Sequence, residues 1–581
     1  MATIIINGEE HEIPEGEKLN AIQMAKRVGV EIPYYCWHPA LSVVANCRMC
    51  EVEVGQKDPK TGEIKMLPKL VPGCQTPAKD GTVLVTNSDK VQEHQRMIME
   101  LLLINHPLDC PVCDQAGECG LQDYSYAHGQ ANHRFVEERI VNPKKDVSDL
   151  IQLNQDRCIM CTRCVRFTRE ITQTAELQVM RRGNHAEIAT FPGVTLDDNP
   201  LAGNVVDLCP VGALLDKDFL HKQRVWFLSK HDSICTGCSG GCNISVEENK
   251  GKVWRVKPRN NPHVNDYWIC DNSRYGYKAG AAPDDVIPGM FVLDKSGDHV
   301  QTPIDEALRR VVRGLRNAVV DGKAVAGVLS PFLTVEEAYL MARYLKDVTT
   351  SSVLALGPVP VKGEDRTFAP DKTKGRSGDT TFLVPRPFTI HAEKAPNARG
   401  VRAVVENSQG SVVDYADLLK KIEAGEVGAL YVTGGYPEDW IDEATAAMIR
   451  EKVGFIVVQD SRVSALAHKA DVVLAGGTYA EKAGSYVNCD NRLQYAGASL
   501  PPRDGSLPDL DLFGVLLDRP GPVRSGEVLA EVAEAIPAFA AVKGGVVPKY
   551  GVVLGGEAAP ENGQPPFVDA WFTPMGAAKS R

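Results

Sequence analysis

The sequence has no run of about 18 consecutive apolar residues, so no helix is expected to cross a membrane, and any membrane link is expected to come through partners. Its opening, MATIIINGEEHEIPEG, is a strand–turn–strand pattern, with neither the basic start and apolar core of a secretory signal nor an Arg- and Ser-rich transit helix. A reducing cytosol is the expected compartment. No Gly-x-Gly-x-x-Gly follows a strand and no Walker A sequence occurs, so no nucleotide site is evident. Positive charge is not gathered anywhere: the net charge of -11 is diffuse, which argues against a nucleic-acid surface, and basic pieces such as RVKPR (255–259) read as solvated faces. Cysteine is almost missing after residue 270, where Cys489 has no ligand neighbours and reads as a small buried hydrophobe.

The other fifteen of the 16 cysteines precede residue 271. In a reducing compartment such density is more often metal chemistry than disulfide bonding. Spacing sorts them into four groups. The first is Cys36-x10-Cys47-x2-Cys50 with Cys74 further on, a variant of the plant-type [2Fe–2S] spacing. The second lies in HPLDCPVCDQAGEC (106–119): His106, Cys110, Cys113 and Cys119. The third, Cys158-x2-Cys161-x2-Cys164, is the compact start of a bacterial ferredoxin motif, with Cys209-Pro210 as remote fourth ligand. The fourth is Cys235-x2-Cys238-x3-Cys242, closed by Cys270.

Three groups of four cysteines and one of three make fifteen, and the short group is the one with a histidine beside it. A Cys-x2-Cys pair alone suits zinc as well as iron–sulfur, because sulfur ligands serve both. Zinc sites usually pair two such dyads across a loop, whereas the third group packs three thiolates into seven residues before an expected amphipathic helix, which favours a cubane corner. His106 taken alone would be a helix-end residue capping carbonyls; the missing ligand makes it a candidate instead. Replacing a thiolate by imidazole makes a site less negative and raises its potential. Several one-electron centres in one chain amount to a conductor whose source and sink lie elsewhere.

The elements around these groups follow from patterning. TIIING and EHEIP predict a hairpin about Asn7-Gly8, KLNAIQMAKRVGV a helix closed by Gly29, and residues 90–104 a second helix. In the second half, AVAGVLSP, VGALYVTGG and VGFIVVQDS alternate with helices, one capped by a Thr334/Glu337 capping box, which predicts an α/β layer with a largely parallel sheet. Residues 359–400 read as an irregular excursion, and the stretch after about 545 as an extended or disordered tail.

The cysteine order, His106, DRCIMCTRCVRF (156–167) and NVVDLCPVGAL (204–214) together resemble the large, G-type iron–sulfur subunit of respiratory complex I, the NADH:quinone oxidoreductase, over about residues 1–540. The resemblance implies a multidomain α+β and α/β chain. Its parts would be a β-grasp [2Fe–2S] ferredoxin-like domain (1–85), a [4Fe–4S] domain with one histidine and three cysteine ligands (86–145) and a [4Fe–4S] ferredoxin-like domain (146–225). A [4Fe–4S] domain of molybdopterin-oxidoreductase type (226–285), a truncated α/β domain of that class (286–545) and the tail (546–581) would follow. It further implies one [2Fe–2S] and three [4Fe–4S] clusters on the four groups, the fourth being off the main path and kept by only some members. The chain would relay electrons without an NADH or quinone site of its own. Its partners would be the NADH/FMN-binding subunit, a ferredoxin-like subunit with two [4Fe–4S] clusters, and the quinone-side subunits, on the cytoplasmic face of the bacterial inner membrane.

KAPNARG (394–400) and ADVVLAGGTYAEKAGSYVNCDNRLQ (470–494) resemble the molybdopterin oxidoreductase fold, but no cysteine between Cys270 and Cys489 offers a metal ligand, so no molybdopterin is expected. Two readings compete: an iron–sulfur/molybdenum subunit of an NAD-linked formate dehydrogenase or hydrogenase, which metal and pterin analysis would reveal, and a zinc-stabilised interaction scaffold, which would hold zinc with little iron or sulfide.

Overall fold

Asn7 and Gly8 both adopt positive φ (51° and 91°), the conformation a two-residue hairpin turn needs. They join Thr3–Ile6 to Glu9–Glu12 as predicted, and Thr3–Ile6 pairs parallel with Thr82–Val85 on its other edge. In this computed structural model, which describes residues 2–278, 286–370, 386–408 and 411–555, the first sheet runs Glu9–Glu12, Thr3–Ile6, Thr82–Val85, Glu51–Lys57, Ile64–Met66, with Val71–Pro72 beside Glu51–Lys57. Helix Ala21–Arg27 covers it, opened by a capping box between Asn20 and Gln23, with Gly29 (φ 80°) just past its end. Ile4, Ile6, Leu19, Ile22, Val52 and Leu84 form its core, which also takes in Cys50 and Cys74.

Helix Asp89–Leu103 follows, capped by Ser88. From there to residue 278 the chain is mostly loops, short strands and short helices around a second core that gathers residues from all four cysteine groups, among them Cys36, Cys119, Cys161, Cys164, Cys209 and Cys270. The amphipathic helix expected after Cys164 is instead a four-residue helix, Arg163–Arg166, running directly into a π-helical turn, Phe167–Ile171. Such turns are rare and cluster at functional sites.

The second half builds an eight-stranded sheet in the order His299–Gln301, Phe291–Leu293, Val472–Ala475, Phe455–Asp460, Val427–Thr433, Ala324–Leu329, Val353–Leu356, Ser411–Val413. All neighbours are parallel except at the first two strands, where the antiparallel hairpin closes the edge. Strands Val427–Thr433 and Phe455–Asp460 are buried at every residue, which is why they read as unbroken apolar runs: helices cover both faces of a parallel sheet. Thr334 caps helix Val335–Val348 and Glu337 returns the bond to the Thr334 N–H, as predicted. The 359–400 stretch is less irregular than expected: Arg366–Phe368 and Phe388–Ile390 pair antiparallel, and helix Ala398–Asn407 begins inside KAPNARG. Residues 371–385 and most of the expected tail, 556–581, lie outside the described residues.

Candidate metal centres

Each ligand-bearing loop turns on residues in the left-handed region: Ala45 and Arg48 in the first, Gly117 in the second, Met160 and Thr162 in the third, Gly241 in the fourth. For the non-glycine residues this costs roughly 1 kcal/mol apiece, and it bends the chain so that backbone N–H groups point at sulfur. The Cys36 N–H donates to Cys47 Sγ at 3.5 Å, the Met160 N–H to Cys158 Sγ at 3.4 Å and the Gly237 N–H to Cys235 Sγ at 3.4 Å. Cys209 receives the N–H groups of Leu214, Val211 and Ala213. Hydrogen bonds to sulfur are among the means by which a protein tunes a cluster.

The cysteines of each group sit together. Cys36 is hydrogen-bonded to Cys47 and Cys50 to Cys74, and Cys50 also feels Cys47. Cys158, Cys161, Cys164 and Cys209 line one small cavity walled by Leu153, Ile159, Ile188, Val211 and Leu214. Cys242 feels Cys238, Cys235 and Cys270. Cys119 feels Cys113 and Cys110, and Cys110, the exposed member, opens on a surface pocket with Trp226 and Tyr126. All sixteen cysteines are free thiols. Burial pushes the Cys119 and Cys270 thiols up to about 12 and Cys235 to about 11, so a cation is needed to hold these sulfurs as thiolates at neutral pH.

His106 caps no carbonyl. Its Nδ1 is buried without a hydrogen-bond partner, and burial, then the Arg157 guanidinium, hold the imidazole down at about 4. It is therefore neutral at physiological pH with a lone pair to offer, the form a metal takes. The same Arg157 charge acts on Cys113, which brings His106 and its cysteine group to one guanidinium. An orphaned imidazole nitrogen that shares the Arg157 charge with Cys113, and groups of mostly buried thiols elsewhere, have the donor chemistry that iron–sulfur clusters take, although among the described residues no three of these side chains converge as closely as a bound metal would hold them.

Arginines missed in the sequence tie the loops together. Arg166 Nη2 donates to the Cys36 and Cys161 carbonyls, and its Nη1 to the Ser42 carbonyl. Arg163 donates to Trp37 O at 2.5 Å and Leu208 O at 3.3 Å. Both bridge the first group to the third. Arg157 joins third to second through Asp109 at 2.7 Å and Gly212 O. Arg274 pairs with Asp207, linking the helix before Cys209 to the helix after Cys270. RVKPR is not a solvated face: Arg255 is largely shielded, pairs with Glu118 and Glu247, and with Lys257 holds the residue next to Cys119, because Glu118 needs partners once it is desolvated. The signal available in sequence was DRCIMCTRCVRF itself, where three arginines flank thiols that a metal makes anionic.

Cys489 is not the buried hydrophobe expected from its isolation: it is half-buried, and its sulfur lies 3.3 Å from His391 Nε2.

Family models match along the chain: a 2Fe-2S iron-sulfur cluster binding domain (1–89), the NADH-ubiquinone oxidoreductase-G iron-sulfur binding region (95–134) and the NADH-quinone oxidoreductase subunit 3 ferredoxin-like domain (148–215). A molybdopterin oxidoreductase Fe4S4 domain (228–280) and a molybdopterin oxidoreductase domain (372–519) follow. The G-type subunit of the NADH-quinone oxidoreductase of Rickettsia felis is 33% identical over 352 residues, 61% of this chain and 50% of that protein. The mitochondrial NADH-ubiquinone oxidoreductase 78 kDa subunit of Neurospora crassa is 30% identical over 597 residues, 85% of this chain and 77% of that protein. A chain of an NAD+-reducing [NiFe]-hydrogenase is 27% identical, covering 39% of this chain and 91% of that one at a TM-score of 0.33. The match spans about half the length of the Rickettsia relatives. With 2Fe-2S and 4Fe-4S binding domains in order ahead of a molybdopterin-oxidoreductase domain, the chain belongs to the family of G-type NADH-quinone oxidoreductase subunits and their 75 and 78 kDa counterparts.

Proposed function

We propose that this chain is the electron-conducting iron–sulfur subunit of an NADH:quinone oxidoreductase. Cys36, Cys47, Cys50 and Cys74 would hold a [2Fe–2S] cluster. His106, Cys110, Cys113 and Cys119 would hold one [4Fe–4S] cluster, and Cys158, Cys161, Cys164 and Cys209 another. Cys235, Cys238, Cys242 and Cys270 would hold a further [4Fe–4S] cluster off the main path. When bound, such clusters accept and release single electrons, while the protein sets each potential through charge, hydrogen bonds to sulfur and burial. The boundaries near residues 85, 145, 225, 285 and 545 are proposed as the domain limits. The electron source would be an NADH/FMN-binding subunit, the acceptor a ferredoxin-like subunit leading to the quinone side, and the location the cytoplasmic face of the membrane.

The observation that carries this reading is the set of buried arginines spanning consecutive loops, above all Arg166 between the carbonyls of Cys36 and Cys161. A guanidinium held between two sites fixes their separation, and each charge-assisted bond contributes about 1.5–3 kcal/mol. The test is Cys161→Ser in the assembled complex. NADH-driven quinone reduction is expected to be nearly abolished, whereas Cys238→Ser, at the off-path site, acts mainly on assembly or stability. Wild-type turnover in a fully assembled Cys161→Ser complex would refute the assignment.

A further inference from the structure

We infer that Cys489, His391 and Asp365 form a peroxide-reactive thiol site, in which Cys489 is reversibly oxidised to a sulfenic acid. The three residues come from separate segments. Asp365 immediately precedes strand Arg366–Phe368 and His391 immediately follows Phe388–Ile390, and the pairing of Arg366 with Ile390 sets the two side chains beside one another. Cys489 lies in the connection between strands Gly484–Val487 and Arg492–Ala496. Its N–H donates to Ser239 O at 2.7 Å, which pins the thiol against the Cys238–Cys242 loop.

The geometry is that of an activated nucleophile. Asp365 Oδ2 lies 3.2 Å from His391 Nδ1, and its Oδ1 accepts the Ala392 N–H at 2.8 Å, so the carboxylate is held in place. A carboxylate at Nδ1 selects the tautomer with its proton there and leaves Nε2 as acceptor, 3.3 Å from Cys489 Sγ. Lys394 Nζ donates to the His391 backbone carbonyl, the Arg399 charge acts on the thiol, and Asp490 is drawn off by Arg386 at 2.7 Å. With its acceptor nitrogen 3.3 Å from the sulfur, His391 is placed to take the thiol proton. The His391 side chain keeps 20% of its exposure and Asp365 57%, and Cys489 is half-buried, which leaves a path for a small electrophile.

In the reaction, Cys489 sulfur attacks one peroxide oxygen. An S–O bond forms as the S–H and O–O bonds break. His391 Nε2 takes the thiol proton and delivers it to the departing oxygen, so thiol and hydrogen peroxide give sulfenic acid and water. Sulfur loses two electrons and the peroxide gains them; a small-molecule thiol restores the site by way of a mixed disulfide. None of this needs a bound cluster, so the site and the electron-relay reading stand or fall separately.

The test treats the full chain with hydrogen peroxide, traps sulfenic acid with dimedone and maps the adduct by peptide mass spectrometry. An adduct at Cys489 is expected, absent in Cys489→Ser and formed at least about tenfold more slowly in His391→Gln. No adduct at Cys489 in the native chain, or the native rate in His391→Gln, would overturn the proposal. If His391→Gln does not fold, Asp365→Asn carries the same test from an exposed position: slower trapping supports the site and an unchanged rate refutes it.

Discussion

At His106 two roles compete, helix-end bystander and proposed ligand, and desolvation is the observation that favours the second. Burial holds the imidazole at about 4, its Nδ1 is orphaned, and the cost of leaving a buried polar atom unpaired, about 1–3 kcal/mol, is offset if a metal takes that lone pair. His106→Cys is expected to keep a cluster and lower its midpoint on the order of 100 mV, because a fourth thiolate makes the site more negative. A redox titration followed by EPR reads this directly, and an unchanged midpoint would count against ligation. The grouping of the close-spaced cysteines was legible in sequence because thiols two or three residues apart must be close in space, whereas Cys74, Cys209 and Cys270 reach their groups only through the fold. Arg255 was not: its partner Glu118 is 137 residues away, and nothing local distinguishes a desolvated arginine from a solvated one.

Among the elements, helix Val335–Val348 shows how the second half is fastened. Glu336, fully buried, accepts the Ser485 N–H and hydroxyl at 2.8 Å, while Glu337 pairs with Lys482 at 3.1 Å, which also approaches Asp509. Burial raises the Glu336 carboxyl from 4.5 to about 7, with the Ser485 bonds opposing. The folded state thus holds this proton more tightly than the unfolded chain. Its contribution is fully present below about 4.5 and is lost as pH rises through about 7. Glu336→Gln is expected to flatten the fall in stability between those limits by up to about 3 kcal/mol, measured by urea unfolding at each pH. Identical slopes in both proteins would contradict it. The capping box and the doubly buried strands were legible because both are local patterns. The short helix with its π-turn after Cys164 was not, because Arg163 and Arg166 are held by carbonyls more than 100 residues away, at Trp37 and Ser42.

On the scale of the molecule, residues from all four cysteine groups meet in one core, and arginines cross from loop to loop so that neighbouring sites are fixed relative to one another. The count of complete groups could be made from sequence; their mutual packing could not, since it depends on long-range pairs such as Arg274 with Asp207 and Arg157 with Asp109. The central claim is that each group holds an iron–sulfur cluster. EPR of the isolated chain at graded reduction, with iron and acid-labile sulfide measured on the same sample, tests it most directly. One [2Fe–2S] and three [4Fe–4S] signals are the predicted result; zinc with little iron or sulfide, and no reducible signal, would contradict it.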